Sequence, residues 1–146
     1  MIFACLLLWI ILPKPSLCAG EEGSEIPCTS SSSEAVELFL KGREAYDMGR
    51  ISDATTFIDK ALMKDQQFAL AWLYKAYISG SAGDRDLYLG KAQTNRSKAS
   101  VGERILIDMA GTLPEQGSSE RLLLATKLVE LYPSSVRALM VLAGEY

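Results

Sequence analysis

The sequence predicts an all-α fold, a solenoid of about three and a half antiparallel helical hairpins, because three kinds of residue recur in one register. Small residues recur every 34 positions, at Gly42, Ala76, Ala110 and Gly144. Glycines follow seven positions after the first three of these, at Gly49, Gly83 and Gly117. Apolar residues stand four positions before each small residue, at Leu38, Trp72, Leu106 and Met140.

The expected repeating unit is a helical hairpin. The small residue lets two helices approach closely, and the glycine reverses the chain after the first helix. An apolar stripe on the second helix then closes the pair. In the first hairpin this stripe consists of Ile51, Ala54, Phe57, Ile58, Ala61 and Leu62. No segment shows the alternation that predicts a β-strand.

Residues 1–19 are expected to form a signal peptide. The continuous apolar run at residues 2–12 is shorter than the roughly 20 residues that a membrane-spanning helix needs. Two prolines follow it, and the small residue Ala19 favours cleavage after position 19, with Gly20 as the alternative. No Lys or Arg precedes the run, so the α-amino group alone supplies the positive charge. Export to the periplasm, the medium or the secretory pathway is therefore expected.

Cys18 offers an alternative route to the membrane, through lipid attachment. A lipidated cysteine is usually preceded by a small residue, and Leu17 departs from that pattern. Export without an anchor is thus the favoured hypothesis. Contact with a membrane is expected only through an uncleaved leader or a lipidated Cys18.

Residues 20–33 (GEEGSEIPCTSSSS) are expected to form a flexible linker, because they offer almost nothing to bury. Cys28 would be the one cysteine left after leader removal. It is interpreted as an idle thiol or, alternatively, as an intermolecular link.

The remaining chain, residues 34–146, is expected to form the repeat domain. The predicted helices cover residues 34–48, 51–63, 67–79, 85–95, 101–112, 119–131 and 135–146. Two SxxE sequences, Ser31 to Glu34 and Ser100 to Glu103, predict capping boxes at two of the helix starts.

These residues resemble the tetratricopeptide repeat family. Residues 35–68 fit the family pattern most closely, through Gly42, Gly49, Ala54, Ile58 and Ala61. The second repeat keeps Trp72, Ala76 and Gly83, and the third keeps Ala110 and Gly117. Residues 136–146 resemble the first helix of a fourth repeat, so the array is expected to continue beyond Tyr146. The resemblance implies a right-handed solenoid with a concave surface that binds peptide or protein segments.

The resemblance also implies which side chains line the concave groove. They are Val36, Phe39, Arg43, Tyr46, Leu70, Leu73, Tyr77, Arg104 and Ile107. This set is mainly apolar and aromatic, so the implied ligand is anchored by hydrophobic side chains, with Arg43 and Arg104 contacting polar or acidic groups. The alternative interpretation is that Phe39 and Leu73 pack against neighbouring helices.

The composition argues against catalysis and against nucleic-acid binding. Histidine is absent, which removes the commonest general base and the commonest metal ligand. The three cysteines form no CxxC pair. No catalytic residue, metal or cofactor is therefore expected. The formal net charge of −3 is unlike that of a polybasic nucleic-acid binder.

The expected function is that of an exported scaffold that binds a protein or peptide. One alternative is an N-terminal accessory repeat domain of a longer exported protein, whose catalytic or effector part lies beyond residue 146. Another is a structural subunit of an assembly.

The leader hypothesis yields a direct prediction. Because an apolar run followed by a small residue is the pattern that signal peptidases recognise, the exported protein should begin at Gly20. N-terminal sequencing of the protein recovered from the exported fraction would test this. Recovery of a soluble protein that still begins at Met1 would contradict it.

Overall fold

Seven α-helices build the part of the chain that the structure, a computed structural model, describes, namely residues 25–112 and 118–146. They are α1 (Ser33–Asp47), α2 (Ile51–Lys64), α3 (Ala69–Tyr77), α4 (Ala82–Asn95), α5 (Val101–Gly111), α6 (Ser118–Leu131) and α7 (Val136–Ala143). A single 3-10 turn, Arg96–Lys98, lies between α4 and α5. The described residues include no strand, so the predicted all-α class is confirmed. The expected leader, linker residues 20–24 and Gly117 lie outside these residues.

Serine hydroxyls mark four of the helix starts. Each accepts a hydrogen bond from the backbone N–H three residues later, at Ser32, Ser81, Ser100 and Ser135. The predicted capping box of Ser100 and Glu103 is confirmed. The one predicted at Ser31 is wrong: Ser32 caps α1 without a capping box, because Ala35 stands at the position that needs Glu or Gln, and the Ser31 hydroxyl donates to Asp65.

The first hairpin closes as the small-residue pattern predicts. A Cβ added to Gly42 would lie 2.8 Å from Ile58 Cδ1 and 3.2 Å from the Ile58 backbone nitrogen, so α1 and α2 approach closely here and a larger residue would force Ile58 to shift. Gly49 turns the chain between them with a φ of 72°, which L side chains rarely adopt. Both signature glycines therefore have the expected physical cause.

The second hairpin turns at a different place from the one predicted. Gly83 lies in the first turn of α4 and not in the turn after α3, and a Cβ added to it would have open space around it. The chain reverses at residues 78–81, because the Ser81 hydroxyl caps α4 by accepting from the Asp84 N–H. A good N-cap thus begins the helix three residues before the predicted start.

The core follows the hairpin order. Helix α1 packs on α2, α3 on α4, and α5 on α6, while α2 contacts α3, α4 contacts α5, and α3 contacts α5. Of the predicted stripe on α2, four members are buried, namely Ala54, Ile58, Ala61 and Leu62. Ile51 is exposed and Phe57 is half-buried. No helix within the described residues is both long and apolar enough to cross a membrane.

The two glycines make a matched pair for measuring helix contact. Gly42→Ala should lower the free energy of unfolding by about 1–3 kcal/mol, because the new methyl group overpacks against Ile58. Gly83→Ala should leave it unchanged or raise it by up to about 1 kcal/mol, because alanine favours helix and meets no neighbour. Urea unfolding followed by circular dichroism would measure both. Equal effects of the two substitutions would contradict the close approach of α1 and α2.

Candidate functional site

Five of the predicted groove residues belong to the core. Their side chains are almost inaccessible, with relative exposures of 5% or less, at Val36, Phe39, Leu70, Leu73 and Ile107. A side chain that is already covered on all sides cannot form the open wall of a groove. For these positions the groove assignment is corrected, and the alternative interpretation of Phe39 and Leu73 as packing residues describes the structure.

The four other predicted groove residues keep contact with solvent. Arg43, Tyr46 and Arg104 are partly exposed, and Tyr77 is 41% exposed. The Arg43 guanidinium lies 5.8 Å from the Phe39 ring centroid, and its Nη1 is 3.7 Å from Cys28 Sγ. The Tyr46 and Tyr77 rings stack with their centroids 6.4 Å apart. The accessible part of the predicted groove is therefore centred on Tyr77.

Aromatic contacts connect the buried and accessible parts of this region. Phe39 contacts Phe68 at 5.0 Å and Tyr74 at 5.2 Å between ring centroids. Tyr74 in turn contacts Tyr46 at 5.6 Å and Tyr77 at 5.7 Å. Edge-on and tilted pairs at these separations are favourable. The rings hold α1 and α3 together and position Tyr77 at the surface.

An arginine of the last helix contacts Tyr74 and forms an ion pair beside it. Arg137 at the start of α7 donates to Asp47 Oδ2 at 2.6 Å and to the Tyr74 hydroxyl at 3.0 Å. Burial raises the pKa of Tyr74 to about 12, so its hydroxyl stays protonated at neutral pH. Burial opposes the charge of Arg137, but the hydrogen bond to Asp47 and the nearby Tyr74, Asp47 and Glu25 groups together outweigh it and raise the pKa of the guanidinium. Arg137 thus connects α7 with α1 and α3.

Residues 25–31, here called the N-terminal strap, contact the turn between α2 and α3 and the starts of α5 and α7, and then lead into α1. Glu25 Oε2 accepts from the hydroxyl of Ser135, the cap of α7, at 2.9 Å. The Thr29 N–H donates to Oε1 of Glu103 on α5 at 2.8 Å. The Ser30 and Ser31 hydroxyls donate to Oδ2 of Asp65, just before α3, at 2.6 and 2.9 Å. The strap and α1 are joined through Ser32.

Ile26, an apolar side chain of the strap, packs between α5 and Tyr132, which follows α6. Ile26 is 3% exposed and belongs to the core. A Cβ on Gly102 would lie 2.9 Å from Ile26 Cγ2 and 2.7 Å from Tyr132 Cε2, so the absence of a side chain at Gly102 creates the seat. The expectation of a flexible linker is therefore corrected for residues 25–32. The composition of the segment predicted almost no buried surface. One isoleucine and the hydrogen bonds of Glu25, Thr29, Ser30 and Ser31 nevertheless attach it to the helices.

Two carboxylates, Glu103 and Asp65, accept the hydrogen bonds that the strap donates. Glu103 has no exposed surface, and its second oxygen accepts from the Ser100 N–H at 2.6 Å. Asp65 is 8% exposed and also accepts from the backbone N–H groups of Ser31 and Gln67, each at 2.8 Å. Burial alone would raise the pKa of Asp65, but its hydrogen bonds to the two serines and to Gln67 outweigh burial and lower it.

Tyr77, alone among the predicted groove residues, lines a cavity of about 360 Å³, here called the Tyr77 cavity. Its apolar wall comes from α5 and α7, through Leu106, Met109, Ala110, Met140 and Val141. Arg85 and Arg121 lie at its polar side. Arg121 is engaged, because it forms an ion pair with Glu145 and donates to the Met109 carbonyl at 2.7 Å. A tyrosine hydroxyl is protonated at neutral pH, so Tyr77 is a neutral hydrogen-bonding group in this cavity.

A second cavity of about 580 Å³ surrounds the signature residue Trp72. Its indole stacks on Tyr88 with ring centroids 5.9 Å apart, and the Lys91 ammonium lies 4.2 Å from the indole centroid. Lys75 forms an ion pair with Asp59. Both cations therefore already have partners, and the cluster serves to pack α2, α3 and α4 together.

Sequence reasoning missed Asp65, Arg137 and the strap. Asp65 ends α2, and nothing in the local sequence identifies Ser30 and Ser31 as its partners more than thirty residues away. Within residues 25–112 and 118–146, no group of three or more His, Cys, Asp or Glu side chains is placed to hold a metal ion. No protein-family model matches the chain, and neither curated proteins nor solved structures show significant similarity to it.

Attachment of the strap should depend on pH through Asp65. A carboxyl group whose folded-state pKa is lowered stabilises the fold above its unfolded-state pKa, near 4, and this stabilisation is lost as the pH falls through the folded-state pKa. Asp65→Asn should cost about 1–3 kcal/mol at pH 7 and little at pH 2–3. Asp53→Asn, at a half-exposed position away from the strap, is the control. Urea unfolding at several pH values would measure this, and a cost that does not vary with pH would contradict it.

Proposed function

We propose that this protein is an exported, non-catalytic scaffold that binds a peptide or protein segment, and that its hairpins form a right-handed solenoid. The 34-residue recurrence of small residues and the packing of successive hairpins support the solenoid. The absence of histidine supports a binding role over catalysis. The apolar run ahead of Ala19 supports export.

The observation that carries the binding proposal is the Tyr77 cavity. Tyr77 is the predicted groove residue with an exposed ring, and it faces an apolar wall contributed by α5 and α7. Aromatic side chains beside such a wall are typical anchors of peptide ligands, because they bury a large area at a small loss of conformational entropy. The ligand side chain that fits is apolar or aromatic.

The arginines beside the Tyr77 cavity indicate which charge the ligand carries. Arg121 is occupied by Glu145, whereas the Arg85 side chain is exposed and forms no hydrogen bond or ion pair with the described residues. A ligand carboxylate beside the anchoring side chain would pair with Arg85. The proposed ligand is therefore an extended segment with an apolar or aromatic anchor and a neighbouring acidic residue.

Selection from a random peptide library displayed on phage tests this function. The protein should enrich peptides with the anchor and acid described above, and isothermal titration should give micromolar affinity. Tyr77→Ala should weaken binding about 30-fold or more, as expected for loss of an anchor of about 2 kcal/mol. Arg85→Ala should weaken it by about 5- to 10-fold and reduce its dependence on salt.

The matched control is Tyr88→Ala, which removes a partly exposed ring that stacks on Trp72 outside the Tyr77 cavity. It should leave peptide affinity unchanged. Circular dichroism would verify that each variant keeps its helices. Failure to enrich any peptide, or equal affinity of the Tyr77 and Tyr88 variants, would refute binding in this cavity.

A further inference from the structure

The surface beneath the N-terminal strap, here called the wall, consists of Asp65, Gly102, Glu103, Tyr132 and Ser135. Its polar residues also make hydrogen bonds that do not involve the strap: Glu103 accepts from the Ser100 N–H, Asp65 from the Gln67 N–H, and the Ser135 hydroxyl from the Ala138 N–H at 3.3 Å. The first and third bonds belong to the starts of α5 and α7, and the second lies in the turn between α2 and α3. Each of these three side chains would stay positioned if the strap left.

The wall also has a defined ligand chemistry. The seat formed by Gly102 and Tyr132 takes one apolar side chain, Ile26 in the strap. Three residues later a backbone N–H meets Glu103, and the next two residues present hydroxyls to Asp65. The surface therefore recognises an extended segment with an apolar residue followed, four and five positions on, by hydroxyl-bearing residues.

We propose that this wall is a second peptide-binding site, that its ligand is an extended segment of another protein with that pattern, and that the strap is its resident competitor. The site is separate from the Tyr77 cavity, so it does not depend on the function proposed above. Asp65, at the end of α2, and Glu103 on α5 contribute the acceptors, and the Ser135 hydroxyl before α7 contributes a donor. Gly102 on α5 and Tyr132 after α6 form the seat.

Thermodynamics favours a foreign segment over the strap of a second copy. The strap is tethered through Ser32, so its effective concentration at the wall is on the order of millimolar. A second copy offers the same contacts and also loses translational and rotational freedom on association, so it cannot displace the tethered strap. A foreign segment also loses this freedom, so it displaces the strap only by filling the seat better or by making contacts that the strap lacks.

The test uses the full chain with its strap displaced. Ile26→Asp places a charge in the apolar seat, and Ile51→Asp is the matched control at an exposed position. The probe is a fluorescent synthetic peptide of residues 24–33 with Ser in place of Cys28. Fluorescence anisotropy should show that the Ile26 variant binds it at least tenfold more tightly than the wild type or the Ile51 variant does. Bound peptide should also raise the melting temperature of the Ile26 variant.

Two further variants define the contacts. Adding Asp65→Ala to the Ile26 variant should weaken peptide binding at least tenfold, whereas adding Asp53→Ala should not change it. Thr29→Pro removes the N–H that bonds Glu103 while leaving the wall intact. It serves in place of Ile26→Asp if that variant does not fold.

The outcomes separate the possibilities. Binding that is lost when the isoleucine of the peptide is replaced by aspartate supports the site. No binding by a folded strap variant, or equal binding of the isoleucine and aspartate peptides, overturns it. Concentration-dependent dimerisation of the wild type in light scattering, abolished by Ile26→Asp, would assign the wall to a second copy and also overturn the proposal.

Discussion

A carboxylate that is shielded from water is tolerated inside a protein only if its oxygens accept hydrogen bonds, and Glu103 imposes this constraint on the whole molecule. One oxygen accepts from the Ser100 N–H and the other from the Thr29 N–H. The first bond fixes the residue at which α5 begins, and the second fixes where the strap crosses it. With Glu103 in place, Ile26 reaches the seat at Gly102 on one side, and the strap serines reach Asp65 on the other.

The hairpins and the strap depend on different physics. Close approach of α1 and α2 depends on the absence of a side chain at Gly42. This steric fit does not depend on pH or on salt concentration. The strap rests on a few hydrogen bonds to carboxylates and one apolar side chain, and such attachments have a small free energy. Arg137 adds a long-range connection between α7 and the aromatic rings of α1 and α3. The helical body and its N-terminal segment are therefore expected to differ in stability.

Local signals were readable from the sequence, and long-range ones were not. The helix count and most helix ends followed from apolar periodicity, and Gly42, Gly49 and the Ser100 cap had the expected roles. The turn predicted at Gly83 was wrong because Ser81 caps α4 and places Gly83 inside the helix. The groove residues on α1 and α3 could not be separated into core and surface, because a pattern places a side chain on a helix face without saying what covers that face. Phe39, for example, is covered by the rings of Phe68 and Tyr74, and a helix pattern does not reveal such contacts.

The attachment of residues 25–31 shortens the connection between the domain and its upstream end. A free linker over residues 20–33 could extend about 45–50 Å, whereas residues 20–24 alone can extend no more than about 18 Å. If the upstream end is held at a membrane through the leader or through Cys18, the ends of α5 and α7 that carry Glu103 and Ser135 would face the bilayer at close range. Detaching the strap would then release the domain to reach more than twice as far. In such a protein, one small segment would control both the access of ligands to the wall and the distance of the domain from the membrane.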